Sequence, residues 1–327
     1  MTNVPSDASA SPAPWDDSPD NGSTRVSVDG VMPETARGHE TAQRAKVETF
    51  NPNQLQAVGA RPPLGEYLRD LWGSRHFIRY DAKVRLAVSQ DHTFLGKAWI
   101  ILNPVLLGLT FFVVFGLLLR TGRGIENFLA FLLIGLIMFQ YSSRSVVSVS
   151  RSMYSGKALV RGFMFPRAAL PLSIVMKDAM TQVYALMAMV LMVILIPPSE
   201  RVSWTWLLVI PVFVLQTLFN WGLGMLLAPA VNKVPDIANL LSFFMRLWMY
   251  SSGIFYDPSR FIDDPRVLAV FHFNPLYQVL SISRSLILDN TVPGWQSWAV
   301  LITATCVLVT IGMLVFWFNE ESYADER

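Results

Sequence analysis

Long stretches without a charged side chain occupy most of the chain beyond residue 97. A helix that crosses the hydrocarbon core of a bilayer needs about 20 predominantly apolar residues, because the core is about 30 Å thick and each residue adds about 1.5 Å. Five uncharged windows approach or exceed this length, and a sixth is interrupted by a single arginine, Arg246. The sequence therefore predicts an all-α membrane protein with six transmembrane helices, at about 98–119, 127–148, 172–196, 204–228, 237–256 and 297–318.

The amino-acid composition excludes an ordinary soluble domain. Hydrophobic residues make up 52% of the 327 positions and charged residues 15%, whereas charged residues take about a quarter of a typical soluble domain. Residues 1–63 differ, since they hold eight of the 20 prolines and carry eight acidic against five basic residues. We expect a disordered cytoplasmic leader here, because so few apolar side chains cannot offset the entropy lost on ordering. Its start lacks the basic and apolar regions of a signal peptide.

The distribution of Lys and Arg around the spans predicts the orientation in the membrane, because these residues concentrate on the cytoplasmic side. With the N-terminus inside, twelve basic residues near the span ends face the cytoplasm and six face outward. We therefore expect a multi-pass protein of the plasma (inner) membrane with both termini cytoplasmic, ending in a short tail over 320–327. The six outward basic residues would be Arg120, Arg123, Arg201, Arg260, Arg266 and Arg284.

The segment 64–97 mixes basic and apolar residues at helical spacing. Its members Leu68, Leu71, Trp72 and Arg75 follow i, i+3 and i+4 steps, a pattern typical of a helix lying in the membrane interface. We expect an N-terminal amphipathic interfacial helix region here, with its basic side chains at lipid headgroups. A plain juxtamembrane anchor is the alternative.

Two connections carry more apolar residues than a solvated loop needs. The segment 154–172 combines three basic residues with aromatic ones. This indicates either a small amphipathic helix that docks a partner or the positive charge expected on the cytoplasmic side. The segment 257–290 is long, and a helix over 276–288 would reach only about 20 Å. We expect two short re-entrant or interfacial helices there, on the external face, broken at Asn274-Pro275.

Arg246 and several aromatic residues are candidates for contact with a transported molecule. Arg246 stands midway along span 5, where a charge is costly and marks a functional candidate. Either a passing pyrophosphate or an internal structural pair would satisfy it. Aromatic rings provide the faces on which sugars stack, although rings on bundle helices more often face lipid or pack in the core. The candidates on spans 1 and 5 include Phe111, Phe115, Phe244, Trp248, Tyr250 and Phe255.

Motifs for catalysis and nucleotide binding are missing from the sequence. Neither Gly96-Lys97 nor Gly156-Lys157 belongs to a G-x-x-x-x-G-K-[ST] phosphate loop, and there is no H-E-x-x-H motif. The single cysteine, Cys306, excludes an intramolecular disulfide and a cysteine zinc cluster. We therefore expect no catalytic residue, no metal site and no cofactor in this chain.

Several motifs resemble one family of transport proteins. The run 79–85 (R-Y-D-A-K-V-R) and the run 94–104 (F-L-G-K-A-W-I-I-L-N-P) resemble the entry to the permease of ABC-2 type polysaccharide and O-antigen exporters, the Wzm/TarG-like family. Its coupling segment is similar to 157–172, and its external N-P-x-x motif is similar to 274–277. The segment 121–128 (T-G-R-G-I-E-N-F) resembles the actinobacterial galactan-exporter branch.

The resemblance implies a fold, a partner and a cargo. The fold is the ABC-2 (type V exporter) transmembrane domain over 98–319, preceded by the interfacial gate helix. Two copies of the permease would pair with two copies of a separate ATPase subunit, which binds the ATP and Mg. The complex would export a glycan linked to polyprenyl pyrophosphate, such as cell-wall galactan, and would bind no nucleic acid. The permease itself is then not an enzyme.

The resemblance also assigns roles to residues at matching positions. Docking to the ATPase falls to Lys157, Arg161, Phe165, Pro166 and Arg167. On the gate helix, Arg79, Lys83 and Arg85 would contact pyrophosphate or lipid headgroups. The external gate would contain Asn274, Pro275 and Tyr277. The six aromatic residues named above would stack on sugars in the channel.

Two other functions fit the same sequence. A permease for drugs or small lipids would have the same fold, but the long external loop and the basic leader helix favour a glycan. A membrane-bound glycan-synthesis enzyme or an assembly scaffold is the alternative from a different class. A neighbouring gene for an ATPase with a phosphate loop would favour export.

Overall fold

The computed structural model describes residues 63–88, 96–118, 125, 127–156, 166–195, 201–261 and 264–320, and every regular element in these ranges is helical. The predicted leader before Pro63, the tail after Glu320 and the segment 157–165 lie outside the described residues. The helices are α1 (Leu64–Gly73), α2 (Arg75–Val88), α3 (Gly96–Phe111), α4 (Phe128–Ser150), α5 (Ser152–Ser155), α6 (Ala169–Leu195), α7 (Val209–Lys233), α8 (Ile237–Tyr250), α9 (Pro258–Phe261), α10 (Pro265–Phe273), α11 (Pro275–Ile287) and α12 (Trp295–Phe318).

Four helices in the described part of the chain are long and apolar enough to cross a bilayer: α4, α6, α7 with the 3-10 turn before it (Trp204–Leu208), and α12. They correspond to predicted spans 2, 3, 4 and 6. In its most apolar stretch, α4 is 78% buried inside the protein, against about a third for each of the others. The central helix is therefore α4, and the others present apolar surface outward, as membrane helices do.

Predicted spans 1 and 5 take a different form. The first is α3, which continues as a π-helical segment over Phe112–Leu118. The fifth is helical only to Tyr250, so that α8 has 14 residues and a length of about 21 Å, which is less than the thickness of the hydrocarbon core. The chain turns after α8 at Gly253, whose φ of 65° is a left-handed conformation that favours glycine.

Buried amide side chains connect the central helix to its neighbours. Gln216 on α7 donates from Nε2 to the carbonyl of Met138 at 2.7 Å and to Oγ of Ser142 at 2.8 Å. Gln182 on α6 donates to the carbonyl of Ile137 at 3.3 Å. Both amides are fully buried. Where no water is present, such bonds between helices satisfy polar groups and fix which faces meet.

The closest approach of two helices is between α7 and α12. A Cβ added to Gly222 would lie 2.6 Å from the backbone nitrogen of Val309, and a Cβ on Gly312 would overlap the carbonyl of Gly222. Small residues let helix backbones touch in a membrane protein. The absence of side chains at these two positions therefore sets the spacing of α7 and α12.

The interfacial region predicted over 64–97 contains two helices, α1 and α2, separated by a turn at Ser74. Tyr67, Leu71 and Ile78 are buried and belong to the same apolar cluster as Leu170 at the start of α6. Trp72 points away from this cluster and is 74% exposed. One face of the helix pair is thus packed on the protein, and the other carries exposed basic and aromatic residues.

The segment between α8 and α12 holds three short helices, α9 to α11. The last of these, α11, is buried along most of its 13 residues and packs against α4, α7 and α12. Its inner face includes Leu276, Val279 and Leu286, each about 1% exposed or less. Helix α11 is therefore part of the core cluster, because its apolar residues repeat at helical spacing.

Candidate functional site

Basic residues lie along α2. Arg79 and Lys83 are one turn apart and exposed, and Arg85 is half-buried. The Nε of Arg85 donates to Oδ2 of Asp81 at 2.6 Å, one turn earlier on the same helix. The three residues predicted for the gate helix therefore share one helix, with two of them on its solvent-accessible side.

The same carboxylate connects α2 to α6. Ser173 donates from Oγ to Oδ2 of Asp81 at 2.6 Å, across 92 positions of sequence. Ser173 itself is fully buried. Because Oδ2 of Asp81 accepts bonds from both Arg85 and Ser173, the basic helix has a fixed position relative to the start of α6.

The predicted coupling segment is described only at its end. Lys157, Arg161 and Phe165 lie outside the described residues, whereas Pro166 and Arg167 lead directly into α6. Arg167 donates from Nη1 to the backbone carbonyl of Glu320, just past the end of α12. This contact joins the end of the coupling segment to the C-terminal end of the last long helix.

Tyr67 on α1 completes this corner. Its hydroxyl accepts a bond from the backbone N–H of Ala168 at 3.0 Å, and the side chain is 1% exposed. Burial, together with the charge of Glu320, raises the pKa of the Tyr67 hydroxyl. Burial likewise raises the pKa of the Glu320 carboxyl, against the opposing effects of the bond from Tyr67 and the charge of Arg167. We name Tyr67, Arg167, Ala168 and Glu320 the cytoplasmic corner, after the side on which the sequence places them.

A polar cavity of about 390 Å³ opens between α4, α6 and α8. Its charged residues are Arg144, Lys177 and Asp178, and Lys177 Nζ lies 2.7 Å from Asp178 Oδ1. Span 3 was predicted to begin at about 172, but α6 already begins at Ala169, so that Lys177 and Asp178 lie about two turns inside the helix. The apolar run 169–176 extends the helix. We call this space the α4–α6 cavity; its other lining residues are Tyr141, Ser143, Val147, Ser148, Thr181 and Ser242.

Three of the predicted channel aromatics meet. Phe111 on α3 lies 4.9 Å from Phe255, ring centroid to ring centroid, and Tyr250 lies 5.6 Å from Phe255. Phe255 is 3% exposed, so its ring is core rather than free surface, whereas Tyr250 is exposed. The side chain of Phe115 lies outside the described residues. Of this cluster, Tyr250 has the most accessible ring face.

The exposed face of α8 carries the intramembrane charge. Arg246 is exposed, as are Phe243 and Phe244 on the same helix. Trp248 is half-buried and donates from Nε1 to Oδ1 of Asn274 at 3.1 Å. Exposure places Arg246 on the outside of the chain. The 14 residues of α8 therefore present both a cation and aromatic rings to whatever lies beside them.

Asn274 organises the junction of α10 and α11. Its Oδ1 caps α11 by accepting from the backbone N–H of Leu276 at 3.1 Å, and Pro275 occupies the first helical position. Asparagine as N-cap followed by proline is a favoured helix start. Tyr277 packs edge-on against His272. The three residues predicted for the external gate thus form one turn, held to α8 through Trp248.

Arg284 occupies the interior beside this turn. The sequence assigns it to the external side of the membrane. It is 7% exposed and donates to three backbone carbonyls, those of Phe131, Gly253 and Ile254, at 2.8 to 3.2 Å. Counting basic residues for orientation carries no information on burial, and the three acceptors are 30 or more positions away in sequence. Arg284 is therefore a structural residue that sequence reasoning missed.

Comparison with known proteins decides the family. The family model described as ABC-2 type transporter matches residues 86–288. The chain belongs to the ABC-2 transporter family. The matched range starts near the end of α2 and ends just after α11, so that it includes the α4–α6 cavity, the coupling segment and the Asn274 turn of this ABC-2 transporter.

Curated relatives of this ABC-2 transporter narrow the resemblance. A permease named O-antigen export system permease protein RfbA from Klebsiella pneumoniae is 24% identical over 232 residues, 71% of this chain and 87% of the relative. A protein of the same name from Myxococcus xanthus is 23% identical over 258 residues, 79% of this chain and 98% of the relative. The resemblance to exporter permeases inferred from the sequence motifs is confirmed by these matches.

Metal binding has no support among the residues described for this ABC-2 transporter, since no three His, Cys, Asp or Glu side chains there are grouped to hold an ion. The residues that sequence reasoning overlooked are Arg144 and Arg284. Arg144 is the first charged residue after the second uncharged window, and predicted span 2 continues past it to about 148. Its position within a predicted span was the signal that could have identified it, and the residue does lie on α4.

Proposed function

We propose that the chain is the transmembrane permease subunit of an ABC exporter that moves a polyprenyl-pyrophosphate-linked polysaccharide outward across the plasma membrane. Cell-wall galactan or an O-antigen-like glycan is the proposed cargo. The observation that carries this proposal is the alignment with O-antigen export permeases over 71% and 79% of the chain, which includes nearly the whole length of the Myxococcus xanthus relative.

Energy would come from a separate ATPase subunit that binds ATP and Mg, two copies of which pair with two copies of this chain. Lys157, Arg161, Phe165, Pro166 and Arg167 would dock on it. The contact of Arg167 with Glu320 supports a coupling role, because movement of the coupling segment would then reach both α6 and the end of α12. Both termini lie in the cytoplasm in this arrangement.

Six spans would result if α3 with its π-helical extension and α8 with the turn after it enter the membrane beside the four long helices. An arginine exposed to lipid at mid-span is costly, so Arg246 would face either a second copy of the chain or a water-filled path. A homodimer that joins across the exposed face of α8 satisfies this requirement. Phe111, Phe115, Phe244, Trp248 and Tyr250 would then provide stacking surfaces for sugars along the path, and the buried Phe255 would support Phe111 and Tyr250 from behind.

The two ends of this path would be gated by different elements. On the inner side, α2 would present Arg79, Lys83 and Arg85 to headgroups as the interfacial gate helix. On the outer side, the turn of Asn274, Pro275 and Tyr277 would form the external gate, with α10 and α11 as short re-entrant helices. The bond from Trp248 to Asn274 supports coupling between the path and this gate.

Depletion of the protein in its native cell tests the proposed cargo. We expect lipid-linked glycan to accumulate on the cytoplasmic face, because its synthesis continues while outward transfer stops. Mass analysis of the retained lipid identifies the glycan. Normal surface glycan after depletion would rule the proposal out, and loss of a small lipid or drug from the outer leaflet instead would favour a permease for small molecules.

Charge reversal in the coupling segment tests the proposed partner. Arg161→Glu should lower ATPase activity stimulated by the permease in the reconstituted complex, since a cation at the docking surface is replaced by an anion. Lys233→Glu, which reverses a charge in the last turn of α7, is the control. Equal stimulated activity in the two variants would remove Arg161 from the docking surface.

A further inference from the structure

The α4–α6 cavity brings three charged residues together within the described spans. Arg144 and Lys177 contribute two cations and Asp178 one carboxylate, and hydroxyls from Ser143 and Thr181 are among the remaining polar groups. Charged groups inside membrane helices are costly and generally serve a bound or transported species. A volume of about 390 Å³ falls at the lower end of the range of small-molecule sites, about 300 to 1,000 Å³.

Lys177 is paired with Asp178, whereas Arg144 has no carboxylate partner among the described residues. Arg144 donates one long bond, 3.4 Å, to Oε1 of the fully buried Gln182, and a guanidinium has five N–H donors. Lys177 gives one of its three donors to Asp178 at 2.7 Å. The cavity carries a net charge of +1, and each cation makes one such bond among the described residues, which leaves its other N–H donors for a ligand. Such a donor set suits phosphate oxygens, which accept bidentate bonds from arginine.

The charged residues lie at one depth in the membrane. Arg144 is six residues before the end of α4 and Lys177 eight residues after the start of α6, which is about 9 Å and 12 Å from the respective helix ends. Those ends lie on the same side of the molecule, because Met153 just beyond α4 belongs to the same apolar cluster as Leu170. With the cytoplasmic orientation proposed above, this depth is just inside the inner headgroup layer.

A row of polar groups connects the cavity to the basic helix. Ser173, which binds Asp81 on α2, lies one turn before Lys177 on α6, and residues four apart share a helix face. Asp81 on α2 therefore contacts α6 one turn before the cavity residue Lys177.

We propose that the α4–α6 cavity binds the phosphate or diphosphate headgroup of a lipid, with Arg144 and Lys177 holding phosphate oxygens. Asp178 orients the ammonium of Lys177 through Oδ1. Identification of the lipid as the polyprenyl pyrophosphate of the cargo rests on the proposed function. The binding of a phosphate headgroup by Arg144 and Lys177 does not depend on it.

Direct binding to the full-length chain in phosphatidylcholine nanodiscs tests the cavity. The probe is radiolabelled farnesyl diphosphate, measured at equilibrium. Arg144→Gln and Lys177→Gln should each weaken binding by about tenfold or more, because each removes charge-assisted bonds. Lys233→Gln removes the same charge from the end of α7, outside the cavity, and should bind as the unmodified chain does. Unchanged affinity in both cavity variants overturns the proposal.

Misfolding is controlled by a conservative variant. Arg144→Lys keeps the charge and loses the planar fork, so we expect binding between that of the unmodified chain and Arg144→Gln. Each variant must match the unmodified chain in melting temperature and in monodispersity before its affinity is compared. If Arg144→Lys binds as weakly as Arg144→Gln at matched melting temperature, the planar fork of Arg144 is what binds the phosphate. If Arg144→Lys binds as tightly as the unmodified chain, the positive charge alone is sufficient.

Competition identifies the source of the phosphate. Displacement of farnesyl diphosphate by phosphatidylglycerol places a bulk anionic phospholipid in the cavity, and resistance to it favours a prenyl diphosphate. Displacement by inorganic diphosphate at equal concentration overturns the lipid part of the proposal. Glycan export in cells distinguishes this proposal from the proposed function. Normal export by the Arg144→Gln variant would contradict headgroup binding in the cavity but not the export function. Normal export after depletion of the protein would contradict the export function but not headgroup binding.

Discussion

Arg284 and Phe131 are in contact through two different interactions. The guanidinium carbon of Arg284 lies 3.4 Å from the centroid of the Phe131 ring, and its Nε donates to the Phe131 carbonyl at 3.2 Å. The other two nitrogens donate to the carbonyls of Gly253 at 2.8 Å and Ile254 at 2.9 Å. One buried side chain thus joins the central helix, the turn after α8 and the helix behind the Asn274 turn.

Replacing this arginine should destabilise the protein strongly. Arg284→Met keeps much of the volume but leaves the Gly253 and Ile254 carbonyls without their donor, and a buried acceptor that loses a charged donor costs about 1 to 3 kcal/mol. We expect a loss of about 3 kcal/mol in the free energy of unfolding. Arg284→Lys should lie between, since one ammonium cannot reproduce the fork. Chemical denaturation in detergent measures both, and equal stability of Arg284→Met and the unmodified chain would contradict the role.

A methyl group opposite the guanidinium provides a second test of the same contact. A Cβ on Gly135 would lie 2.5 Å from Nη2 of Arg284, the nitrogen that binds Ile254. Glycine to alanine in a helix interior normally gains about 1 kcal/mol, so a loss of stability in Gly135→Ala reports the displaced arginine. Gly65→Ala on α1, where nothing lies within 4 Å of the added carbon, is the control and should be neutral or stabilising.

Much of this architecture could be predicted because the bilayer imposes it. The uncharged windows gave the positions of α4, α6, α7 and α12, since only a helix satisfies its own backbone in lipid. The break before Pro275 could be predicted from Asn-Pro, because asparagine caps a helix whose first position is proline. The matched family range agrees with the motifs that suggested an exporter permease.

Tertiary packing decides the features that the sequence left open. Arg284 counts as an outward charge in any orientation rule, and only the fold brings the Phe131 carbonyl to it across 153 positions. The α4–α6 cavity also depends on tertiary packing, because Arg144 and Lys177 lie on different helices. The uncharged stretches of sequence do not show that these two residues line the same space. Burial of Phe255 depends in the same way on Phe111 from another span.

The contact between α7 and α12 should tolerate no side chain. Gly222→Ala would place a carbon 2.6 to 2.8 Å from the backbone of Leu308 and Val309, and a backbone cannot move aside as a side chain can. We expect a loss of about 2 kcal/mol or more despite the gain in helix propensity. The melting temperature of the purified chain checks this, again against Gly65→Ala. A Gly222→Ala variant as stable as the control would show that α7 and α12 separate without cost.

The bond between Ser173 and Asp81 should set how firmly α2 is held. Ser173→Ala removes the bond to Asp81, worth about 1 kcal/mol, together with a local contact to the Leu170 carbonyl, and leaves the pair of Asp81 with Arg85 intact. We expect faster amide hydrogen exchange over Arg75–Val88 and no change in α4. Ser251→Ala, which removes a hydroxyl bonded only to the nearby Trp248 carbonyl, is the control. Equal rates of amide exchange in α2 of the Ser173→Ala and Ser251→Ala variants would show that another contact holds α2 in place.

The cytoplasmic corner should make stability depend on pH. Because burial raises the pKa of the Glu320 carboxyl, the folded state binds this proton more tightly than the unfolded state does. The stabilisation is therefore complete below the ordinary value of 4.5 and is lost as pH rises through the raised pKa of the folded state.

Glu320→Gln removes the titrating group while keeping its shape. We expect the variant to be more stable than the unmodified chain by about 1 kcal/mol at neutral pH, since it buries no charge, and to match it near pH 4. Arg167 binds the backbone carbonyl of Glu320, so this contact survives the substitution. Melting temperatures between pH 4 and 8 measure the difference, with Glu66→Gln in the first turn of α1 as the control. Parallel curves for Glu320→Gln and the unmodified chain across this range would mean that Glu320 stays ionised in the corner.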